Sequence, residues 1–452
     1  MKLNISFLSI LLACTFFSCS SDETPGVEVP ERVYDATLSL TIKDNEKNIG
    51  TRADIGIDNI ANKYALQVFV NKLFLAVFDA KGILVSTSEV EAMQNGDGKY
   101  ESALHINEVK IPSGKLQLLL LANVTVPQEL KAINAKSEIT IDDYKKLSNQ
   151  LDKEKNGYLT MNSGVLEYNA AAGQNYIGVS ETTDGFVIDK DPIKIVRNIS
   201  DVLLYSLNLR PSSNYSGSSA KFTLKKIFLA NVKSSSSLVS DDYWGKVENP
   251  NAEWWSGYTD KIGNLAASGS ESKDFLCYDV ETPPTDMEEY NRRFPYLNHW
   301  WDLYEKGDIL GASGSIEVIP SNGLSYGGGY PLGVNFYVYE NMDSKYHTLL
   351  IVQGDFEYIP EGQNEVVKYT DRFYTVVINK DGVSDHFNDK GDLTSSEKID
   401  HKFIKCNNRY VIYLTVAGPG SDNPYDEKAN AHVSAQVTVK NWDIVDMEEE
   451  VD

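Results

Sequence analysis

Apolar and polar residues alternate without a break from Tyr34 to Ile42, which places Tyr34, Ala36, Leu38, Leu40 and Ile42 on one side. That period of two predicts a half-buried β-strand. A polar connector follows, from Lys43 to Asn48 and on through Gly50, Thr51, Arg52 and Ala53, and such a stretch is expected at the surface. Strands then come in quick succession at residues 66–70, 73–79 and, past a Lys81-Gly82 turn, 83–85. Residues 115–123 are largely apolar and bounded by Gly114 and Asn123, as a strand buried in a sheet core is. Thr140 stands three residues before Asp143, and Ile141, Tyr144, Leu147 and Leu151 fall near helical spacing, so one or two short helices are expected between 127 and 152.

Strand patterns resume at 193–210 and 222–229, and then Ser234 to Ser237 form a run of four serines. Such a run is expected to mark a domain boundary. The next 90 or so residues, roughly 240–330, are irregular and hold Trp244, Trp254, Trp255, Trp300 and Trp301. That much aromatic area implies an ordered elaboration packed on a domain. Alternation returns at 333–340, 347–353, 373–379, 410–416 and 431–442. The pattern as a whole predicts a mainly β protein of two antiparallel β-sandwich domains, residues 53–235 and 236–452, with a few short helices.

The first residues read differently. Lys2, the apolar run from Ile5 to Phe17 and the small polar stretch from Ser18 to Ser21 form a secretory signal, residues 1–18, ending at Cys19. A cysteine at that place resembles a bacterial lipoprotein signal, in which Cys19 becomes the lipidated first residue. Cys14, after Leu11-Leu12-Ala13, is the competing lipobox, but it leaves an apolar region of only about eight residues. Residues 20–32 are polar with two prolines and read as a tether.

Charge narrows the function. With 42 Lys and Arg against 65 Asp and Glu, the chain carries a formal net charge of -23, which disfavours binding to nucleic acid or anionic lipid. Once the signal is set aside only Cys277 and Cys406 remain, so the chain is no disulfide-dense scaffold, though one bridge is open to it. Gly323-Leu324-Ser325-Tyr326-Gly327 matches the G-x-S-x-G form of hydrolases, but the glycines and Pro331 that follow oppose the helix a nucleophile elbow needs, so it reads as a glycine-rich loop. The six histidines show no H-E-x-x-H and no close pair, and Asp422 to Asp426 reads as a turn more readily than as a calcium loop. No enzyme, cofactor or metal site is expected from these spacings. The 26 Tyr and 6 Trp keep a carbohydrate-stacking surface open as a competing role.

Several segments together resemble the fimbrillin family of Bacteroides-like bacteria, the FimA-type structural pilins (type V pilins). They are the signal ending at Cys19, Phe74 to Asp79, Leu118 to Val124, Tyr158 to Gly164, Ile195 to Ser200, Phe222 to Asn231 and Ala431 to Trp442. The resemblance implies transthyretin-like sandwiches, export as an outer-membrane lipoprotein, and a cut by a trypsin-like surface protease. The family's cleavage position falls at Arg52, with Ala53 the new first residue and Lys47 and Lys43 as weaker alternatives. Residues 19–52 are then a lipidated propeptide whose removable strand carries Tyr34, Ala36, Leu38, Leu40 and Ile42. The implied function is that of a fimbrial stalk subunit, polymerised head to tail for adhesion, with copies of itself and with tip and anchor fimbrial proteins as partners. A tip or anchor role is the nearest alternative.

The chemistry agrees with that mechanism, since a lost central strand exposes unpaired backbone and apolar pockets that a strand of matching period repairs. The donor candidates lie at the C-terminus, where Val433, Ala435, Val437 and Val439 share a face and Trp442, Ile444 and Val445 extend it. Two readings of that alternation stand open: the last strand of its own domain, or a tail that fills the groove of a neighbour.

Overall fold

The computed structural model describes residues 33–43, 70–92, 103–131, 133, 138–154, 158–179, 184–191, 193–215, 219–240, 247–260, 266–282, 316–320, 324–325, 334–387, 393–425 and 432–441. The architecture is mainly β in several sheets. Helix among the described residues is confined to Ile141–Lys145 and a few single 3-10 turns. The predicted helix start is real, because the Asp143 carboxylate accepts both the Thr140 N–H and the Thr140 hydroxyl, each at 3.0 Å.

Two sheets organise the first half. One runs in the order Ala103–Ile111, Ala36–Lys43, Gly173–Ile177, Phe186–Asp189, and the other Val196–Arg197, Met161–Ala170, Gly114–Ala122, Lys72–Asp79, Leu84–Glu91. Alternation decides what each face meets. Leu73, Leu75, Val77, Leu116, Leu118 and Leu120 of the five-stranded sheet share a hydrophobic cluster with Ala36, Leu38, Leu40, Leu104, Ile106 and Ile111 of the four-stranded one. The opposite face, with Phe74, Phe78, Leu119 and Leu121, is covered by Ile139, Ile141, Tyr144, Leu238 and Val239. Burial on both faces is why residues 118–122 read as a continuous apolar run and not as an alternation.

The second half holds two five-stranded sheets. In one, Ile199–Leu209 pairs with Leu324–Ser325, Val334–Tyr339 and Asn408–Val416, and Val433–Asn441 pairs with Asn408–Val416. In the other, Lys221–Ala230 pairs with Cys277–Asp279, Ile316–Val318 and Leu349–Tyr358, and the last of these with Val367–Val377. The strands at 199–209 and 221–230 therefore pair with strands from the second half of the chain, although they precede residue 235. Pairing is also mixed: 36–40 runs parallel to 173–177, and 201–209 parallel to 409–416.

The serine run departs from expectation. Ser235–Ser237 forms an antiparallel ladder with Ser148–Gln150, and Ser234, Ser235 and Ser236 are buried. Internal partners satisfy the hydroxyls: Ser236 donates to the Val247 carbonyl at 2.8 Å, and Ser235 accepts from Asn249 at 2.9 Å. Small hydroxyls with such partners are cheap to bury, so the run is structure and not linker. Among the strands that went unread are those at 103–111, 161–170, 173–177, 383–387 and 393–398. In the first, two residues, Asn107 and Glu108, stand against Ser39, with Glu108 at φ 53, so the apolar phase flips between Ile106 and Val109.

Candidate functional site

The site with the clearest geometry is the slot filled by the strand Ala36–Lys43. This strand is central in its sheet. On one side it lies antiparallel to Ala103–Ile111, with Leu38 opposite Val109 and Leu40 opposite Ile106, and on the other parallel to Gly173–Ile177, with Leu38 opposite Asn175 and Leu40 opposite Ile177. Leu38 and Leu40 are fully buried and Ala36 nearly so. Burying the two leucines contributes about 1.5–3 kcal/mol each before ordering costs.

Tyr34 corrects the expected stripe of five buried side chains. It precedes the strand, its ring is 41% exposed, and its hydroxyl donates to the Val85 carbonyl at 3.0 Å. The side chain of Ile42 lies outside the described residues, as do Cys19, Arg52 and Ala53.

Polar contacts that sequence reading missed hold the slot in register. Asn175 is buried; it donates to the Thr37 carbonyl at 3.2 Å and to the carbonyls of Ala171 and Gly173, and accepts from the Ala171 N–H. Its signal in the sequence is faint, a lone Asn in a short polar strand. At the bulge the Ser39 hydroxyl accepts the Glu108 N–H at 3.1 Å. At the strand's entrance Asp35 accepts both the hydroxyl and the N–H of Ser113, each at 2.7 Å. These bonds, the hydroxyl's first, hold the Asp35 carboxyl below its ordinary value.

The donor candidates divide. Val433–Asn441 is an antiparallel strand paired along its whole length with Asn408–Val416. Val437 is buried, while Val433, Ala435 and Val439 are half-buried against the main cluster. It stands at the edge of its sheet. Trp442 and Ile444 lie outside the described residues.

Comparison with known proteins points to fimbrial subunits. The family model described as major fimbrial subunit protein (FimA) matches residues 36–197, beginning at the first residue of the buried central strand. Along 452 aligned residues the chain is 23% identical to the major fimbrium subunit FimA type-2 of Porphyromonas gingivalis, covering 98% of each. The chain is similar to the FimA-like fimbrillins. Solved structures agree on the fold. A fimbrilin (FimA) from Porphyromonas gingivalis superposes with a TM-score of 0.56 at 17% identity, over 92% of this chain and 99% of that one. A candidate cell adhesion protein from Parabacteroides distasonis gives 0.56 at 24% identity, over 90% and 99%.

The chain's other sequence candidates lie elsewhere in the fold. Among the described residues no group of three or more His, Cys, Asp and Glu side chains is disposed to hold a metal ion. His347 stacks on Phe403 at 3.9 Å with its Nδ1 against the Asp343 carbonyl, and burial lowers its pKa. Cys277 and Cys406 are not bridged to each other, so the bridge left open is not formed, and burial pushes the Cys406 thiol up. Ser325 lies in a two-residue strand opposite Ser206 and not in a loop. Asp422 opens a turn, in which Asn423 accepts the Tyr425 N–H at 2.9 Å. Trp255 is buried against Phe275, and Trp254 carries the Lys233 ammonium 3.8 Å over its ring, so both are occupied within the fold.

Proposed function

We infer that this fimbrillin is a structural pilin, the stalk subunit of a surface fimbria, and that it assembles when its first strand is replaced by a segment of a neighbouring copy. The similarity to major fimbrial subunits supports a structural and not an enzymatic role. The observation that carries the assembly reading is the position of Ala36–Lys43: a central strand, laddered on both sides, with Leu38 and Leu40 fully buried. Vacating such a strand opens two unpaired edges and an apolar slot at once, a state that pairing with another chain relieves. Arg52 follows that strand closely in sequence, so a cut there separates it from the chain that continues into Lys72–Asp79. The donor is the C-terminal segment. Since Val433–Asn441 already has a full ladder within its own subunit, residues beyond it, including Trp442 and Ile444, supply the exchanged side chains.

The remaining details belong to the same reading. Cys19 carries the lipid that holds the precursor at the outer membrane, a trypsin-like surface protease makes the cut, and tip and anchor subunits end the polymer. The two halves are two transthyretin-like sandwiches. Strand pairing supports a division near residue 198, because Ile199–Leu209 and Lys221–Ala230 pair with later strands, although Ser235–Ser237 reaches back to Ser148–Gln150.

Arg52→Ala tests this. The variant is expected to fold, to reach the surface and to remain monomeric, while the wild-type chain treated with a trypsin-like protease forms ladders on non-denaturing gels. Ladders of wild-type abundance from the variant, with no cut anywhere between residues 43 and 52, reject the reading.

A further inference from the structure

The C-terminal strand Val433–Asn441 ends its sheet, yet its outer edge is not bare. Val383–Phe387 and Leu393–Lys398 form an antiparallel pair, and the first of these lies along that edge. It does not extend the ladder. Instead, side chains take the place of a neighbouring strand. The Ser384 hydroxyl accepts the Val439 N–H at 3.0 Å and donates to the Val439 carbonyl at 3.2 Å. One hydroxyl thus makes both of the bonds that a paired strand residue would exchange with Val439. Two residues back, Asp385 accepts the Val437 N–H through Oδ2 at 3.2 Å, and its backbone carbonyl accepts the Thr438 hydroxyl at 2.5 Å. Ser396 holds that carboxylate from the other side, donating to Oδ1 at 2.6 Å. Ser384 is fully buried, whereas Leu393–Lys398 is solvent-exposed along its length.

We propose that the strand pair 383–398 is an edge guard, which uses Ser384 and Asp385 to close the outer edge of Val433–Asn441 against strand addition by a second copy of this chain. The inference rests on the reading of the chain as a self-assembling subunit and adds where self-association is forbidden. An unguarded edge strand offers free N–H and C=O groups to any similar strand, and a subunit packed densely among its own kind meets such strands constantly. Here the Val437 N–H and both backbone groups of Val439 are already spent. The exposed outer strand of the pair is polar, with Thr394, Ser395, Ser396, Glu397 and Lys398 in sequence, so the guard presents water with a poor template in its turn. Strand addition at this edge is thereby disfavoured.

The test uses the full-length uncleaved precursor, in which that slot is filled, and so does not depend on polymerisation. Ser384→Ala with Asp385→Ala is compared with wild type by sedimentation velocity and by amide hydrogen exchange. Circular dichroism confirms folding, and Ser384→Ala alone serves as the milder variant. The expected result is at least a tenfold faster exchange at Val437 and Val439, unchanged protection at Val411 and Ile412 on the neighbouring strand, and a shift from monomer to oligomer. Adding Val439→Pro, which removes an outward N–H without touching the ladder to Asn408–Val416, is expected to restore the monomer. A folded double variant that stays monomeric overturns the proposal, as does association that survives Val439→Pro. Failure of cleavage-triggered assembly would show separately, in wild-type chain after protease treatment.

Discussion

The first strand and the C-terminal strand look alike as sequences and differ as structures. Ala36–Lys43 and Val433–Asn441 both alternate apolar and polar residues over eight or nine positions. The first is laddered on both sides, antiparallel and parallel, and the second on one side alone. Loss of the first opens two edges and empties Leu38 and Leu40 from the core. Loss of the second uncovers one edge, with side chains that were largely half-buried. Alternation therefore reports that one face of a strand is covered; it does not report how many neighbours the strand has, and here the number of neighbours separates a slot from a margin.

Deleting whole strands should widen this contrast most. A chain lacking residues 34–43 is expected to bind an apolar dye strongly and to lose amide protection across 103–111, and a synthetic peptide of that sequence should reverse both. Deleting 433–441 should leave 103–111 protected, and equal loss from both deletions would erase the distinction. Single side chains come next: Leu40→Ala is expected to cost about 2–5 kcal/mol, against about 1–2 kcal/mol for Val437→Ala, both read by chemical denaturation. Asn175→Ala sharpens the comparison on the polar side. It removes the amide that ties Thr37 to the 171–175 turn, with an expected loss of about 1–3 kcal/mol and faster exchange confined to the first-half sheets.

The smallest effect is a pH dependence at the strand's entrance. The folded-state pKa of Asp35 is depressed by the Ser113 hydrogen bonds, so its contribution is fully present above the unfolded value of about 4 and fades as pH falls through the folded one. An NMR titration of the Asp35 carboxyl should therefore show a midpoint below the usual carboxylate range. Asp35→Asn should flatten the acid limb of stability, while no similar change is expected at the C-terminal strand.

Much of the β architecture was legible, because half-buried strands write their period directly into the sequence, as at 36–42 and 412–416, and strands buried on both faces show as short apolar runs, as at 73–78. The strand 103–111 was not, since its bulge at Asn107 and Glu108 breaks the period. Nor was 173–177, which is short and polar and owes its place to Asn175. The serine run at 234–237 misled for a related reason: serine's preference for loops is weak beside the hydrogen bonds supplied by Val247 and Asn249. The candidate slot was half legible. Ala36, Leu38 and Leu40 are buried on the one face that their alternation predicts, while the exposure of Tyr34 depended on where the strand begins. A repeat also went unread: Leu-Ala-Asn-Val occurs at 121–124 and again at 229–232, each time ending a strand. Both asparagines sit at positive φ, 58 and 56. Each ties the chain leading into a neighbouring strand: Asn123 bonds Asn71 and Leu159, and Asn231 bonds His347. Asparagine tolerates that left-handed turn, and its amide does the tying, which is why one tetrapeptide serves both halves.

The mixed pairing at the first strand has a consequence for anything built from this subunit. Parallel and antiparallel ladders space their hydrogen bonds differently, so a strand turned end for end would have to exchange both patterns at once. It would also lose the Thr37 carbonyl that Asn175 seeks and the Ser39 hydroxyl that meets the bulge. The slot therefore reads an arrow as well as a register. A fibre made by filling such slots one after another inherits that arrow from every joint, so its two ends are chemically distinct and it lengthens as a vector, with a base and a tip.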